Sequence, residues 1–134
     1  MILEAILFAS ISNMVPPQLL LAICKTESHL NPSATNFNDG QGRHSHGLCQ
    51  VQTRTARYMG YRGPVKDLYN PYINAQYAAK YLKYQLDRYG GNWRKAVAAY
   101  NAGRAVKREG KFVNQDYVDQ VWDYLFVVEI ACPN

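Results

Sequence analysis

The chain has few cysteines, no run of five basic residues and no long apolar run, and each shortage excludes something. Only Cys24, Cys49 and Cys132 are present among 134 residues. None has the C-x-x-C spacing of a zinc or redox site. An odd count leaves at least one free thiol in a monomer. The simplest reading is three reduced, mostly buried thiols. A Cys24–Cys49 pairing stays open if both flank one site. No segment reaches the ~18 to 20 apolar residues of a spanning helix. The opening "MILEAILFASISNM" has no Lys or Arg ahead of its apolar stretch, and Glu4 interrupts it, which argues against a secretory signal. There is no Gly-rich phosphate loop and no H-E-x-x-H. His44 and His46 flank Ser45, but no acidic or Cys partner at firm spacing completes a metal site, so they read as solvated loop residues. No metal and no cofactor are expected.

Several features are abundant instead. The length suits one domain over residues 1–134, and the 48% hydrophobic content can build a core without staples. The aromatics comprise eleven Tyr, four Phe and two Trp. Tyrosine offers a flat apolar face and a hydroxyl, which suits amphipathic ligands such as sugars. The formal charge is +5, spread thinly, with "RAVKREGK" at 104–111 the densest patch. That balance favours an anionic polymer and gives no sign of a base-reading module.

The pattern is helical almost throughout, with no repeat or linker. "ILEAILFASISN" forms a short helix, and Pro16-Pro17 separates it from a second over Gln18 to Leu30. A polar stretch, 33–46, follows. "GLCQVQ" is extended in part, and Thr53 opens a short helix. Asn70-Pro71 starts a helix with Ala75, Ala78, Ala79, Leu82 and Leu86 on one face, closed by Gly90-Gly91. Asn92 caps the next, with Trp93, Ala96, Val97 and Tyr100 in one stripe, ended by Gly103. A last helix covers about Asp116 to Ile130. Trp93 and Trp122 are expected in the core. The expected fold is mainly α, with an irregular stretch or small β-hairpin between residues 33 and 52.

One residue sits on the wrong face. Leu20, Ile23, Cys24 and Glu27 occupy i, i+3, i+4 and i+7, so Glu27 points inward with apolar neighbours. Desolvation disfavours the charged carboxylate and raises its pKa towards the range of a general acid. The bland alternative is a rim carboxylate satisfied by an amide or an arginine.

Four short stretches decide between these. "ESHLNP" (27–32), "GLCQV" (47–51), "AAYNAG" (98–103) and a tyrosine in "DYVDQV" (116–121) occur in that order. With the helix start "LYNPYINAQYAAKYL" (68–82), this set resembles the soluble lytic transglycosylase (SLT) domain of the lysozyme-like superfamily, which includes the goose-type lysozymes. The likeness runs from about residue 11 to 125. It implies Glu27 as the catalytic acid and Ser28 as the residue that shapes the turn after it. It also implies Gln50, Tyr100 and Asn101 as sugar-contacting residues, and Tyr117 as the hydroxyl that reaches Glu27. Ser45 is a further candidate for orienting substrate. Three features depart from the family pattern: Cys49 stands for the usual methionine, Gln52 for a methionine or small polar residue, and the polar loop is longer.

The resemblance implies a peptidoglycan lytic transglycosylase that cleaves the β-1,4 bond between MurNAc and GlcNAc and closes a 1,6-anhydro ring, with Glu27 as acid and then base. Two alternatives remain. A second carboxylate, Asp39, would make it a lysozyme-type hydrolase; Asp67 reads as a turn residue and Asp87 as surface. Alternatively, the fold serves as a non-catalytic wall-binding module. The implied partners are glycan strands and an assembly such as a phage virion or a secretion or conjugation machine, with no nucleic acid. The expected place of action is the periplasm or cell wall, reached with a virion or as a mature or excised domain.

Overall fold

The structure is a computed structural model and describes residues 1–37 and 43–131. Among these residues the chain forms α1 (Ile2–Asn13), α2 (Pro17–Ser28), β1 (Thr35–Asn36), β2 (Ser45–His46), β3 (Val51–Gln52), α3 (Thr53–Tyr58), a 3-10 helix (Val65–Tyr69), α4 (Pro71–Arg88), α5 (Trp93–Ala102), β4 (Lys107–Arg108), β5 (Lys111–Phe112) and α6 (Gln115–Ala131). The expected mainly α architecture is what is found. Among the described residues no helix is long and apolar enough to cross a membrane.

The helix ends follow local chemistry. Pro17 fills the first turn of α2, where its missing N–H leaves no bond unmade. The Asn70 side chain accepts from Tyr72 and Ile73 N–H at the start of α4, and Asn92 accepts from Lys95 N–H at the start of α5. Gly103 closes α5 at φ 88°, a conformation in which a Cβ is costly. α2 stops at Ser28 because His29 and Leu30 both turn left-handed.

The core is one cluster. Leu19, Leu20, Ile23, Leu68, Leu82, Val97, Val118 and Val121 are fully buried in it. α4 is its centre, packing on α1 and α5, while α6 packs on α2. Ala75, Ala78 and Ala79 on α4 are fully buried, and their small side chains let helices approach closely. Trp93 and Trp122 pack against the edge of the core rather than within it. Arg94 lies 4.3 Å over the Trp122 ring. α1 turns Leu3, Leu7, Phe8 and Ile11 to solvent, and Met14, which caps it, is exposed as well.

Between residues 33 and 52 the described residues form a small three-stranded antiparallel sheet in the order β1-β2-β3. Ser45 pairs with Asn36 and Gln52, and His46 with Thr35 and Val51. A second hairpin, β4-β5, was not expected from the basic stretch 104–111. Its turn residues Glu109 and Gly110 both have positive φ, which suits a two-residue hairpin loop.

His46 corrects the expectation of a solvated histidine. It is buried, with Nδ1 bonded to the Tyr69 hydroxyl at 2.8 Å and Nε2 to Thr53 Oγ1 at 3.1 Å. Burial, and then the nearby His44, hold its pKa below the usual value. It fastens the sheet to α3 and the 3-10 helix.

Candidate active site

α2 ends at the wall of a cleft of about 250 Å³. Glu27, Gln50, Ser45, Tyr81, Tyr100 and Asn101 are among the residues that line it. Among the described residues Glu27 is the one carboxylate in the lining. Asp67 lies in the 3-10 helix, and Asp87 pairs with Lys83 at 2.9 Å on the surface of α4. Asp39 lies outside the described residues.

Glu27 is half-buried, one helical turn beyond Cys24. Burial pushes its pKa up to about 7, and the hydrogen bond from Tyr117 pulls the other way. The Tyr117 hydroxyl donates to Glu27 Oε2 at 2.7 Å. Ninety positions separate the two residues, and the packing of α6 on α2 brings them together. Burial first, then the Glu27 charge, raises the Tyr117 pKa well above the usual value, so this phenol stays a donor.

The second wall is the turn 47–50, and five features hold it. Gly47 adopts φ +76°, and a Cβ there would meet Asn74 Nδ2 at 2.6 Å and the Leu68 carbonyl at 2.7 Å, so only glycine fits. The fully buried Asn74 accepts from Cys49 N–H and donates to the carbonyls of His46 and Leu68. The Ser28 hydroxyl donates to the Leu48 carbonyl at 2.6 Å and accepts from Asn31 N–H. The Tyr100 hydroxyl donates to the Cys49 carbonyl at 2.9 Å. Cys24 and Cys49 form a disulfide, which corrects the expectation of three reduced thiols. Cys132 lies outside the described residues.

These bonds place the expected site residues. Gln50 stands at φ 52° and donates from Nε2 to the carbonyls of Ala34 and Gly47. That leaves its Oε1 for the cleft. Asn101 Oδ1 accepts from Asn114 Nδ2 at 2.8 Å, so its own Nδ2 remains a donor. The Tyr100 ring lines the cleft, while its hydroxyl is committed to the turn. Ser28, expected to shape the turn after Glu27, does not line the cleft; its bonds to the Leu48 carbonyl and from Asn31 N–H fix the turn and the exit of α2.

Asn74 went unmarked in the sequence. The test that singles out Glu27, a polar residue on an apolar helix face, applies to it equally: Asn74 and Ala78 are four apart on the face of α4 that packs inward. Tyr81 was also missed. It falls one position before the Leu82 stripe and tilts against Tyr100 at 5.3 Å between ring centroids.

This geometry can be set beside known proteins. The transglycosylase SLT domain model matches residues 4–121. The chain belongs to that family. A curated relative of the SLT domain, Protein IpgF of Shigella flexneri, is 37% identical over 98 residues, which is 71% of this chain and 62% of that protein. The transglycosylase of Enterobacteria phage PRD1 is 34% identical over 100 residues, covering 75% of this chain and 34% of the phage protein. The chain thus spans about 62% of the length of the IpgF relative.

Solved structures share the fold of this SLT domain. An inactive mutant of the lytic transglycosylase Slt from Pseudomonas aeruginosa superposes with a TM-score of 0.79 at 21% identity, covering 96% of this chain and 24% of that one. The 70 kDa soluble lytic transglycosylase in complex with bulgecin A gives 0.76, also at 21% identity, over 98% and 24% of the two chains.

Proposed function

We propose that this chain is a peptidoglycan lytic transglycosylase in which Glu27 works alone, first as acid and then as base. One observation carries the reading: a carboxyl with a pKa near 7, held by a tyrosine, is the one acidic group lining the cleft among the described residues. A two-carboxylate glycosidase needs a second acid across the sugar. A single carboxyl suffices if the nucleophile is the substrate's own hydroxyl.

The protonated Glu27 donates to the glycosidic oxygen between MurNAc and GlcNAc, and the bond to the anomeric carbon breaks. The 2-acetamido oxygen of MurNAc shares the positive charge left at that carbon. Glu27, now a carboxylate, accepts the proton of the O6 hydroxyl as O6 bonds to the anomeric carbon. Glu27 ends as it began, and no water is consumed. A pKa near the working pH serves both transfers. Tyr117 keeps Oε2 in place. Gln50 Oε1, Asn101 Nδ2 and the Tyr100 ring fix the sugar, a positioning effect. Ser28 acts through the turn, and Ser45 is a further contact in the lining.

The place of action is where the polymer is, the periplasm or cell wall. The Cys24–Cys49 bond fits such an oxidising compartment. The likeness to a phage transglycosylase supports delivery with a virion. A secretion or conjugation assembly is the other setting that the sequence resemblance supports.

Mass spectrometry of digested peptidoglycan tests the chemistry. The expected fragments end in 1,6-anhydro-MurNAc, one water lighter than reducing ends. Reducing-end MurNAc would mean hydrolysis and bring Asp39 forward as the second carboxylate. Glu27→Gln should lower the rate by about a thousandfold, the usual scale for loss of a general acid. A Glu27→Gln protein as active as the wild type would sink the assignment. Wall binding by both forms with cleavage by neither would leave a non-catalytic module.

A further inference from the structure

The helices α4, α5 and α6 each follow an asparagine. Asn70 and Asn92 turn their side-chain oxygens to N–H groups of the helices they open, the usual cap. Asn114 stands at the same position before α6, and its carbonyl accepts from Tyr117 N–H at 3.1 Å and Val118 N–H at 3.3 Å. Its side chain does something else. Oδ1 is buried and has no partner among the described residues. Nδ2 turns to α5, where it donates to the Ala98 carbonyl at 3.0 Å and to Asn101 Oδ1 at 2.8 Å. The residue forgoes a cap and leaves a buried oxygen unpaired, and both cost stability. What results is a hold on Asn101.

That hold has a direction. A carbonyl only accepts, so the end of Asn114 that faces Ala98 is its amide nitrogen. The same nitrogen faces Asn101, so Asn101 meets it with oxygen. The nitrogen of Asn101 is left for the cleft that it lines. Asn101 is exposed, and an unanchored amide there could turn either end outward, one a donor and the other an acceptor. The aromatic neighbours do not make this choice. From Tyr100 and Tyr81 a row of rings runs through Tyr84 to the exposed Tyr58, and ring faces take apolar surface without sorting donors from acceptors. The Tyr100 hydroxyl is held by the Cys49 carbonyl.

We propose that Asn114 is a positioning residue that fixes Asn101 as a donor, so that this point of the cleft takes an acceptor oxygen of the glycan and not an N–H group. The proposal rests on the reading of the cleft as a peptidoglycan site and names what orients one of its contacts.

Asn114→Asp tests it, because stability and activity should part. A carboxylate caps a helix well and suits its positive end, so the variant should melt no lower than the wild type. It cannot donate to Asn101, and it draws the Asn101 nitrogen away from the cleft. On a synthetic peptidoglycan tetramer kcat/KM should fall about tenfold, the scale of one hydrogen bond. In an Asn101→Ala background the same change should cost less than about twofold, because the two residues act as one unit. A residue that only supports the fold would cost the same factor in both backgrounds, and so would a charge acting directly on Glu27. Asn114→Ser, a cap without charge, repeats the cycle and keeps it readable if the acidic variant folds poorly. An unchanged kcat/KM, or equal losses in the two backgrounds, overturns the positioning role and leaves the transglycosylase reading standing. Equilibrium binding of the tetramer to Glu27→Gln runs the same cycle without turnover. Coupling there, with no cleavage by the wild type, would keep the role of Asn114 and remove the reaction.

Discussion

A carboxyl group with a pKa of about 7 is half protonated at neutral pH. If Glu27 must donate first, kcat/KM is flat below that pH and falls tenfold per unit above it. The pH profile of cleavage measures this directly. Tyr117→Phe removes the bond that lowers the Glu27 pKa, so the alkaline limb should move to higher pH, while a purely structural tyrosine would leave it in place. The same shift acts on stability. The folded chain holds a proton on Glu27 that the unfolded chain, with a pKa of 4.5, releases earlier. Stability is therefore lost as pH rises from 4.5 to 7, by up to about 3 kcal/mol. Glu27→Gln carries no such penalty. It should melt several degrees above the wild type at pH 8 and close to it at pH 4.5. An equal difference at both pH values would show that burial of the charge is not the cause.

Glu27 was legible because helical arithmetic puts it on the buried face, and the arithmetic needs only its neighbours. Tyr117 was reachable only through the family resemblance. Its contact depends on how α6 lies across α2, and no local pattern encodes that.

Among the elements, the turn 47–50 shows most clearly where reading a sequence stops. Its neighbours were legible: Asn70 and Asn92 cap helices, and Gly103 ends one, because each effect is local. The disulfide was not, since a separation of 25 residues says nothing about distance. Asn74 sets that distance by holding the turn against α4, which places Cys49 beside Cys24. Histidine 46 failed for the same reason: a polar residue in a polar stretch is buried only because Tyr69 and Thr53 wait for both its nitrogens. Closing a loop of this length should contribute about 3 kcal/mol. Denaturant melts with and without reductant would measure it, together with a loss of activity as Gln50 and the Cys49 carbonyl lose their anchor. Thiol counting checks the premise. Unfolded without reductant, the chain should show one reactive thiol, and after reduction all three. Three thiols without reductant would mean the bond does not form.

For the whole molecule, the helical core is continuous from α1 to α6. We propose that residues 1–134 fold as one unit although they span only part of the IpgF relative. Calorimetry should then give a single transition, with calorimetric and van't Hoff enthalpies equal at about 90 kcal/mol near 60 °C. Two transitions would mean that part of the chain folds separately. The mainly α architecture was legible at this scale because apolar spacing repeats over whole helices. The second hairpin was not, because four paired residues leave too short a pattern.

The row of tyrosines has an optical consequence. Tyr58, Tyr84, Tyr81 and Tyr100 touch in sequence from the surface to the floor of the cleft. Rings fixed in one asymmetric array couple their transitions and absorb left- and right-handed light unequally. A ligand that seats along the row changes that imbalance in the near ultraviolet. The chain carries its own dichroic indicator of occupancy, readable without a label and without turnover.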